Sequence, residues 1–159
     1  VVEVVEVHNG MSAGSADNFL VHIVRQVTIN AGGAVTATID DEAQTISYEL
    51  SYSGIEGGTV SASHIHFGKR AVNGGVSAFL CSGGDKPACP ATEGTVSGVI
   101  DAADIIGPVS QGIGLGSFDE LVAAMRAGHT YVNVHSTGAV PEWPGGEIRA
   151  QINDRDANN

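Results

Sequence analysis

The sequence predicts an all-β fold, a Greek-key β-sandwich with one short inserted helix. The composition points to it, because the 159 residues are rich in Val, Ala, Thr and Ser and include 22 glycines. Such a composition is typical of short strands separated by turns. Several segments also alternate apolar and polar residues with the period of two expected of a half-buried strand, whereas one segment stands out with helical periodicity. A chain of this length can bury a core of its own.

The predicted strands follow one another at short intervals. The clearest alternation lies in "QTISYELSY" (44–52), which forms a hairpin with "AVTATID" (34–40). A long β-prone run precedes the hairpin, and turn residues such as "NGG" separate the strands that follow it. The remaining predicted strands cover residues 19–29, 59–68, 76–81, 94–100, 130–136 and 146–153.

The segment "SFDELVAAMRAG" predicts the helix, over about residues 117–127. Ser117 as N-cap and Glu120 three residues later match a capping box, and Gly128 is a typical helix end. The apolar side chains recur at helical spacing, so this stripe packs against the sheet. The stripe consists of Phe118, Leu121, Val122 and Met125.

The organisation is that of a single domain over residues 1–159. No internal repeat and no interdomain linker interrupts it. We expect an N-terminal strand and loop over residues 1–29 and a frayed tail over 153–159.

The charge balance excludes two classes of partner. The chain has 7 Lys and Arg against 18 Asp and Glu, a formal net charge of -11, so it lacks the basic surface that nucleic acids or anionic membranes require. No apolar run approaches the roughly 20 residues that cross a bilayer. We therefore expect no nucleic-acid partner and no membrane span, while a protein partner or self-association stays open.

Cys81 and Cys89 frame the short loop "CSGGDKPAC". Its glycines and proline allow the loop to close into a disulfide, and two free thiols are the alternative. The spacing does not match a cysteine metal site. The chain lacks an initiator Met, as a mature secreted protein would, although a chain cut at a domain edge would also lack it. These features favour a secreted, periplasmic or cell-surface location.

Two histidines share one face of a predicted strand. In "HIHF" the apolar Ile65 and Phe67 point to one side, so His64 and His66 point to the other, about 6.5 to 7 Å apart. Val60 has the same parity as His64, so either a bulge intervenes or this face is not uniformly polar.

The last two strands carry further polar side chains opposite apolar ones. In "YVNVH" Tyr131, Asn133 and His135 share a face, and in "EIRAQI" Glu147 and Arg149 do so. If the three strands are neighbours, the imidazoles of His64, His66 and His135 converge. Imidazole is a good ligand for copper and zinc.

Four neighbouring side chains could orient the ligand histidines by hydrogen bonds. They are Tyr131, Asn133, Glu147 and Arg149. Arg149 would be unfavourable beside a dication unless Glu147 pairs with it. The alternative is that the same residues form a polar network without a metal.

Three stretches resemble the CHRD domain, the module first described in chordin and found alone in many bacterial secreted proteins. They are "HIHFG…NGG" (64–75), "AGHTYVNVHS" (127–136) and "GGEIRAQI" (145–152), and the resemblance covers about residues 30–152. It implies an extracellular or periplasmic β-sandwich of the immunoglobulin-like or superoxide-dismutase-like type. It implies no activity, because most members of the family have none assigned.

"HIHFG" is also similar to the copper-ligand strand "HVH" of Cu/Zn superoxide dismutases. The rest of that family's ligand series is not found here, so the similarity supports a metal but not dismutase activity. The GxSxG, HExxH and P-loop motifs are absent as well, and the sequence assigns no catalytic residue.

Three hypotheses about function follow. The first is a secreted CHRD-type protein that binds copper, before zinc, through His64, His66 and His135. The second is a metal-free extracellular interaction or structural module. A copper redox enzyme is the third, and it would need an open coordination position.

Overall fold

The computed structural model describes residues 16–24, 31–138 and 143–152. In this part of the chain, eight strands and one α-helix alternate with turns and two short 3-10 helices. The helix α1 spans Phe118–Arg126. The strands are β1 (Ala16–Val24), β2 (Gly32–Asp40), β3 (Thr45–Ser53), β4 (Gly58–Phe67), β5 (Val76–Cys81), β6 (Gly94–Ile100), β7 (Thr130–Gly138) and β8 (Trp143–Ile152).

The strands form two antiparallel four-stranded sheets. The order is β1-β2-β3-β6 in sheet A and β5-β4-β7-β8 in sheet B. The chain passes from sheet A to sheet B after β3, returns for β6 and crosses again before β7. Non-consecutive strands such as β3 and β6 therefore become neighbours, as in Greek-key sandwiches. The predicted all-β sandwich with a single short helix is confirmed.

The inner faces of both sheets share one hydrophobic core with the helix. Leu50 of sheet A, Val134 and Ile148 of sheet B, and Leu121 and Met125 of α1 all belong to it and are fully buried. The helical stripe predicted from the sequence is therefore a packing face. Burying such side chains stabilises the fold by about 25 cal/mol for each Å² of apolar surface removed from water.

The strand predictions agree with the structure within a few residues, with one shift at the start. The run predicted over 19–29 is a strand over Ala16–Val24, and residues 25–30 lie outside the described part of the chain. Residues 1–15 and the tail predicted to be frayed, 153–159, also lie outside it.

The capping box predicted for the helix is wrong. Ser117 is the N-cap residue, but its side chain makes no capping hydrogen bond. The Glu120 carboxylate accepts a hydrogen bond from the backbone N–H of Gly114 at 2.7 Å. The Glu120 carboxylate is therefore bonded to the loop before the helix, and not to the N-cap backbone N–H as in a capping box.

An extra residue in β4 decides which side chains face the core. The pairing of β4 with β7 shifts by one residue between Val60 and Ala62, so Ser61 forms a β-bulge. Because of the bulge, Val60 and Ile65 both belong to the core although they are an odd number of positions apart. His64 therefore faces away from the core, as does His66. The sequence leaves open either a bulge in this strand or a face that is not uniformly polar, and the structure has the bulge.

Within the described residues, no helix has the length and apolar character required to cross a membrane.

A second irregularity is bridged by a hydrogen bond between the sheets. In the pairing of β4 with β5, the register shifts so that Leu80 has no Cα partner. The Tyr48 hydroxyl of sheet A donates to the Leu80 carbonyl at 2.5 Å in a buried position. Since a buried carbonyl without a partner is costly, this bond stabilises the contact between β3 and β5.

We predict that Tyr48→Phe lowers the free energy of unfolding by about 1–3 kcal/mol, because it removes a buried hydrogen bond to the Leu80 carbonyl. Chemical denaturation measures this. Tyr52→Phe is the matched control: its hydroxyl donates to the part-buried Pro90 carbonyl, which water can reach more easily, so the loss should be smaller. Equal losses in both variants would contradict this explanation.

Candidate metal site

The three histidines singled out in the sequence lie together on the outer face of sheet B. His64 and His66 belong to β4 and His135 to the neighbouring strand β7. One ring nitrogen from each lies within 4.8 Å of the other two. The convergence that the sequence makes conditional on neighbouring strands therefore exists, and we call these residues the His triad.

Two members of the triad are hydrogen-bonded to each other. His64 Nδ1 and His135 Nε2 are 3.1 Å apart, so one ring donates its N–H to the bare nitrogen of the other. Two nitrogens bound at about 2.0–2.1 Å to one tetrahedral metal ion lie about 3.3 Å apart. The pair thus already has nearly the separation that a shared ion requires.

His66 presents a bare nitrogen. Its Nδ1 donates to the backbone carbonyl of Gly74 at 3.0 Å, which leaves Nε2 without a proton in the neutral ring. That Nε2 is buried and has no hydrogen-bond partner among the described residues. A buried lone pair without a partner is unfavourable, and a metal ion is one group that would satisfy it.

A stack of three side chains holds the His66 ring. The Tyr131 ring lies parallel to it, with 4.7 Å between ring centroids and an interplanar angle of 4°. The guanidinium carbon of Arg149 lies 3.5 Å from the centroid of the same tyrosine ring. His66 comes from β4 and Arg149 from β8, the strands on either side of β7. Tyr131 therefore separates the imidazole from the cation.

Arg149 does not form an ion pair with Glu147, the pairing that would offset its positive charge beside a bound metal ion. Its guanidinium donates to the carbonyls of Lys69 at 3.1 Å and Val72 at 2.8 Å. It also makes a cation–π contact with the face of the Tyr131 ring. Carbonyl dipoles and an aromatic face thus take the place of the expected carboxylate.

Glu147 is used elsewhere. Its carboxylate accepts from the backbone N–H groups of Glu56 at 2.7 Å and Gly57 at 3.1 Å, and from the Ser136 hydroxyl. It ties the segment before β4 to sheet B and does not belong to the group of ligand atoms formed by the His triad.

Asn133 also has its own partner. Its amide nitrogen donates to the Gly145 carbonyl at 3.0 Å, and its side chain lies so close to Gly146 that a Cβ there would be 1.9 Å from Oδ1. Gly146, at a φ of 106°, therefore has to be a glycine. Asn133 Oδ1 is buried without a partner among the described residues.

The outer face of sheet B is much less exposed than an outward-facing polar set would be. Tyr131 is 2% exposed, Asn133 4%, Glu147 3% and Gln151 5%. The segment between β4 and β5 covers it: Gln151 donates to the Gly68 carbonyl at 2.8 Å, and the Tyr131 hydroxyl accepts from the Gly74 N–H at 3.0 Å. Within the triad, His66 is buried, whereas His64 and His135 are partly buried.

Burial favours the neutral form of His64 and His66. It lowers the pKa of His64 to about 4, assisted by the nearby His135 and His66. Burial also lowers the pKa of His66, and His135 and Arg149 act in the same direction, while the hydrogen bond to Gly74 opposes them. Neutral imidazole is the form that binds metals.

Two neighbours of the triad are not singled out in the sequence analysis. Phe79 of β5 packs edge-on against His64 with 4.5 Å between ring centroids, and Gly74 supplies the carbonyl that fixes the tautomer of His66. Phe79 lies in an apolar strand segment, and a backbone acceptor leaves no signature in side-chain chemistry. The "NGG" that contains Gly74 signals only a turn.

The disulfide expected in "CSGGDKPAC" is present. Cys81 and Cys89 are bonded, with 5.0 Å between their Cα atoms.

One comparison with known proteins gives a match. The family model of the CHRD domain matches residues 15–152, so the matched region begins at β1 and not near residue 30. No curated protein gives a significant match, nor does any solved structure.

The lowered pKa of His64 predicts that the metal-free protein loses stability as the pH falls from 6.5 towards 4. In that window His64 binds a proton in the unfolded chain but not in the folded one. The loss attributable to His64 should be about 1–2 kcal/mol, less than for a fully buried group because the ring is part-exposed. Denaturation at several pH values measures it. His64→Gln should flatten the dependence, and an unchanged slope would contradict the assignment.

Proposed function

The chain belongs to the CHRD domain family, and we propose that this member binds one transition-metal ion through His64, His66 and His135. The observation that carries the proposal is the buried Nε2 of His66, which has no partner in the described part of the chain. His66 also belongs to a group of three histidines in which one ring nitrogen from each lies within 4.8 Å of the others. A metal ion would satisfy all three nitrogens at once.

The donor set favours copper over zinc. Three imidazole nitrogens suit both ions, but nitrogen sites generally bind Cu²⁺ more tightly than Zn²⁺. Three protein ligands also leave a coordination position for water or another small ligand. When bound, the ion would supply Lewis acidity or, as copper, one-electron chemistry. The protein's part is to hold the three imidazoles together, with His64 and His66 kept in the neutral form by burial.

We propose a secreted, periplasmic or cell-surface location. The disulfide between Cys81 and Cys89 supports it, because disulfides persist in oxidising compartments.

A metal-free interaction or structural module is the second candidate. The hydrogen bond between His64 and His135 favours it, because that pair is satisfied without an ion. It gives no partner to the buried nitrogen of His66, however, and the metal proposal does.

The proposal predicts that the purified protein, stripped with a chelator, binds one equivalent of either Cu²⁺ or Zn²⁺ at pH 7. It should bind Cu²⁺ more tightly than Zn²⁺. His64→Ala, His66→Ala and His135→Ala should each weaken binding at least about 100-fold, because each removes one of three ligands. Isothermal titration and metal analysis after dialysis measure this, and circular dichroism verifies that each variant is folded.

His129→Ala is the matched control, because His129 lies outside the triad. It should bind like the unmodified protein. If the unmodified protein binds no metal, or if the three triad variants bind as well as the control, the metal proposal is wrong.

A further inference from the structure

We propose that Phe79 and the disulfide loop Cys81–Cys89 position His64, so that the metal affinity of the His triad depends on the disulfide bond. This inference rests on the proposed metal function and adds to it two elements outside the triad. Phe79 is a positioning residue here, since it offers no ligand atom.

His64 has fewer supports outside the triad than His66 has. His66 is fixed on one side by the Gly74 carbonyl and on its face by Tyr131. The hydrogen bond of His64 goes to His135 within the triad. A metal ion that takes His64 Nδ1 and His135 Nε2 as ligands displaces the proton between them, and that hydrogen bond is lost.

The ring of Phe79 remains as a support for His64 when that bond is lost. The two residues are direct partners across β4 and β5, and their rings meet edge to face, with 4.5 Å between centroids and an interplanar angle of 79°. Edge-to-face pairs contribute measurably beyond the area that they bury.

Phe79 is itself held by the disulfide loop. A Cβ added to Gly83 would lie 2.0 Å from Phe79 Cδ1 and 2.2 Å from Cε1, so the Gly83 backbone lies directly against the ring. Only glycine allows this approach. The ring is therefore confined between the loop and His64.

Hydrogen bonds and ion pairs keep the loop in this place. The Ser82 N–H donates to the Pro87 carbonyl at 2.8 Å and the Cys89 N–H donates to Ser82 Oγ at 2.9 Å. The Lys86 ammonium, on a side chain only 5% exposed, forms an ion pair of 2.7 Å with Asp104 outside the loop.

The disulfide closes this loop at its base. Cys81 ends β5, is completely buried and lies two residues beyond Phe79. Cys89 is joined to it from the far end of the loop. Without the bond, the loop gains conformational freedom, and Gly83 no longer holds the ring of Phe79 against His64.

The experiment compares the Zn²⁺ and Cu²⁺ dissociation constants of four variants with that of the unmodified protein, by chelator competition. Phe79→Leu removes the ring, Gly83→Ala drives a methyl group into it, and Cys81→Ala/Cys89→Ala opens the loop without a reductant that would itself react with copper. Each should bind about tenfold more weakly, as is typical when a group that orients a ligand is lost. Gly145→Ala is the matched control, because nothing lies within 4 Å of a Cβ there.

A second measurement separates positioning from general stability. The electron paramagnetic resonance spectrum of bound Cu²⁺ should change in Phe79→Leu and Gly83→Ala but not in Gly145→Ala, because only the former alter the His64 geometry. These two variants keep the inference testable if the double cysteine variant does not fold.

The outcomes are distinguishable. If the unmodified protein binds no metal, the proposed function has failed before the inference is reached. If it binds metal and the folded Phe79 and Gly83 variants match it in affinity and spectrum, the positioning role is wrong while the metal function stands.

Discussion

One extra residue in β4 determines that the candidate site lies on the outer face of sheet B and not in the core. The bulge at Ser61 allows Val60 and Ile65 both to belong to the core, and in doing so it turns His64 and His66 to the outer face. With regular alternation, Val60 and His64 would share a face. Either a histidine would then enter the core or a valine would leave it. Every contact of the triad depends on this choice of face.

The second constraint is the cover over that face. Residues 68–75 fold across sheet B and are held by Arg149, Gln151 and the hydroxyl of Tyr131. Desolvation then lowers the pKa values of His64 and His66 and leaves the Nε2 of His66 without a partner. Leaving a buried acceptor unpaired costs about 1–3 kcal/mol, and the proposed metal function accounts for that cost.

Much of this arrangement could be predicted from the sequence, because it follows from the period of two along a strand. The alternation in β4 and β7 places His64, His66 and His135 on outer faces, and the position of the helix follows from its apolar stripe. The role of Glu147 could not be predicted in this way. Alternation tells which face of the sheet a side chain occupies. The partners of Glu147, which are the N–H groups of Glu56 and Gly57, come from a segment distant in sequence. The supports from Gly74 and Phe79 depend on loop closure and on bulges in the same manner. A motif was misleading at Glu120, where the preceding loop supplied a competing donor.

The most direct test of the central claim, that the His triad is a metal site, is a crystal structure of the copper-loaded protein with anomalous diffraction at the copper edge. The claim predicts one strong anomalous peak within about 2.0–2.1 Å of a nitrogen from each of His64, His66 and His135. The Gly74 carbonyl should still bind the Nδ1 of His66. A peak elsewhere, or the triad hydrogen-bonded as in the metal-free protein with no peak beside it, would contradict the claim.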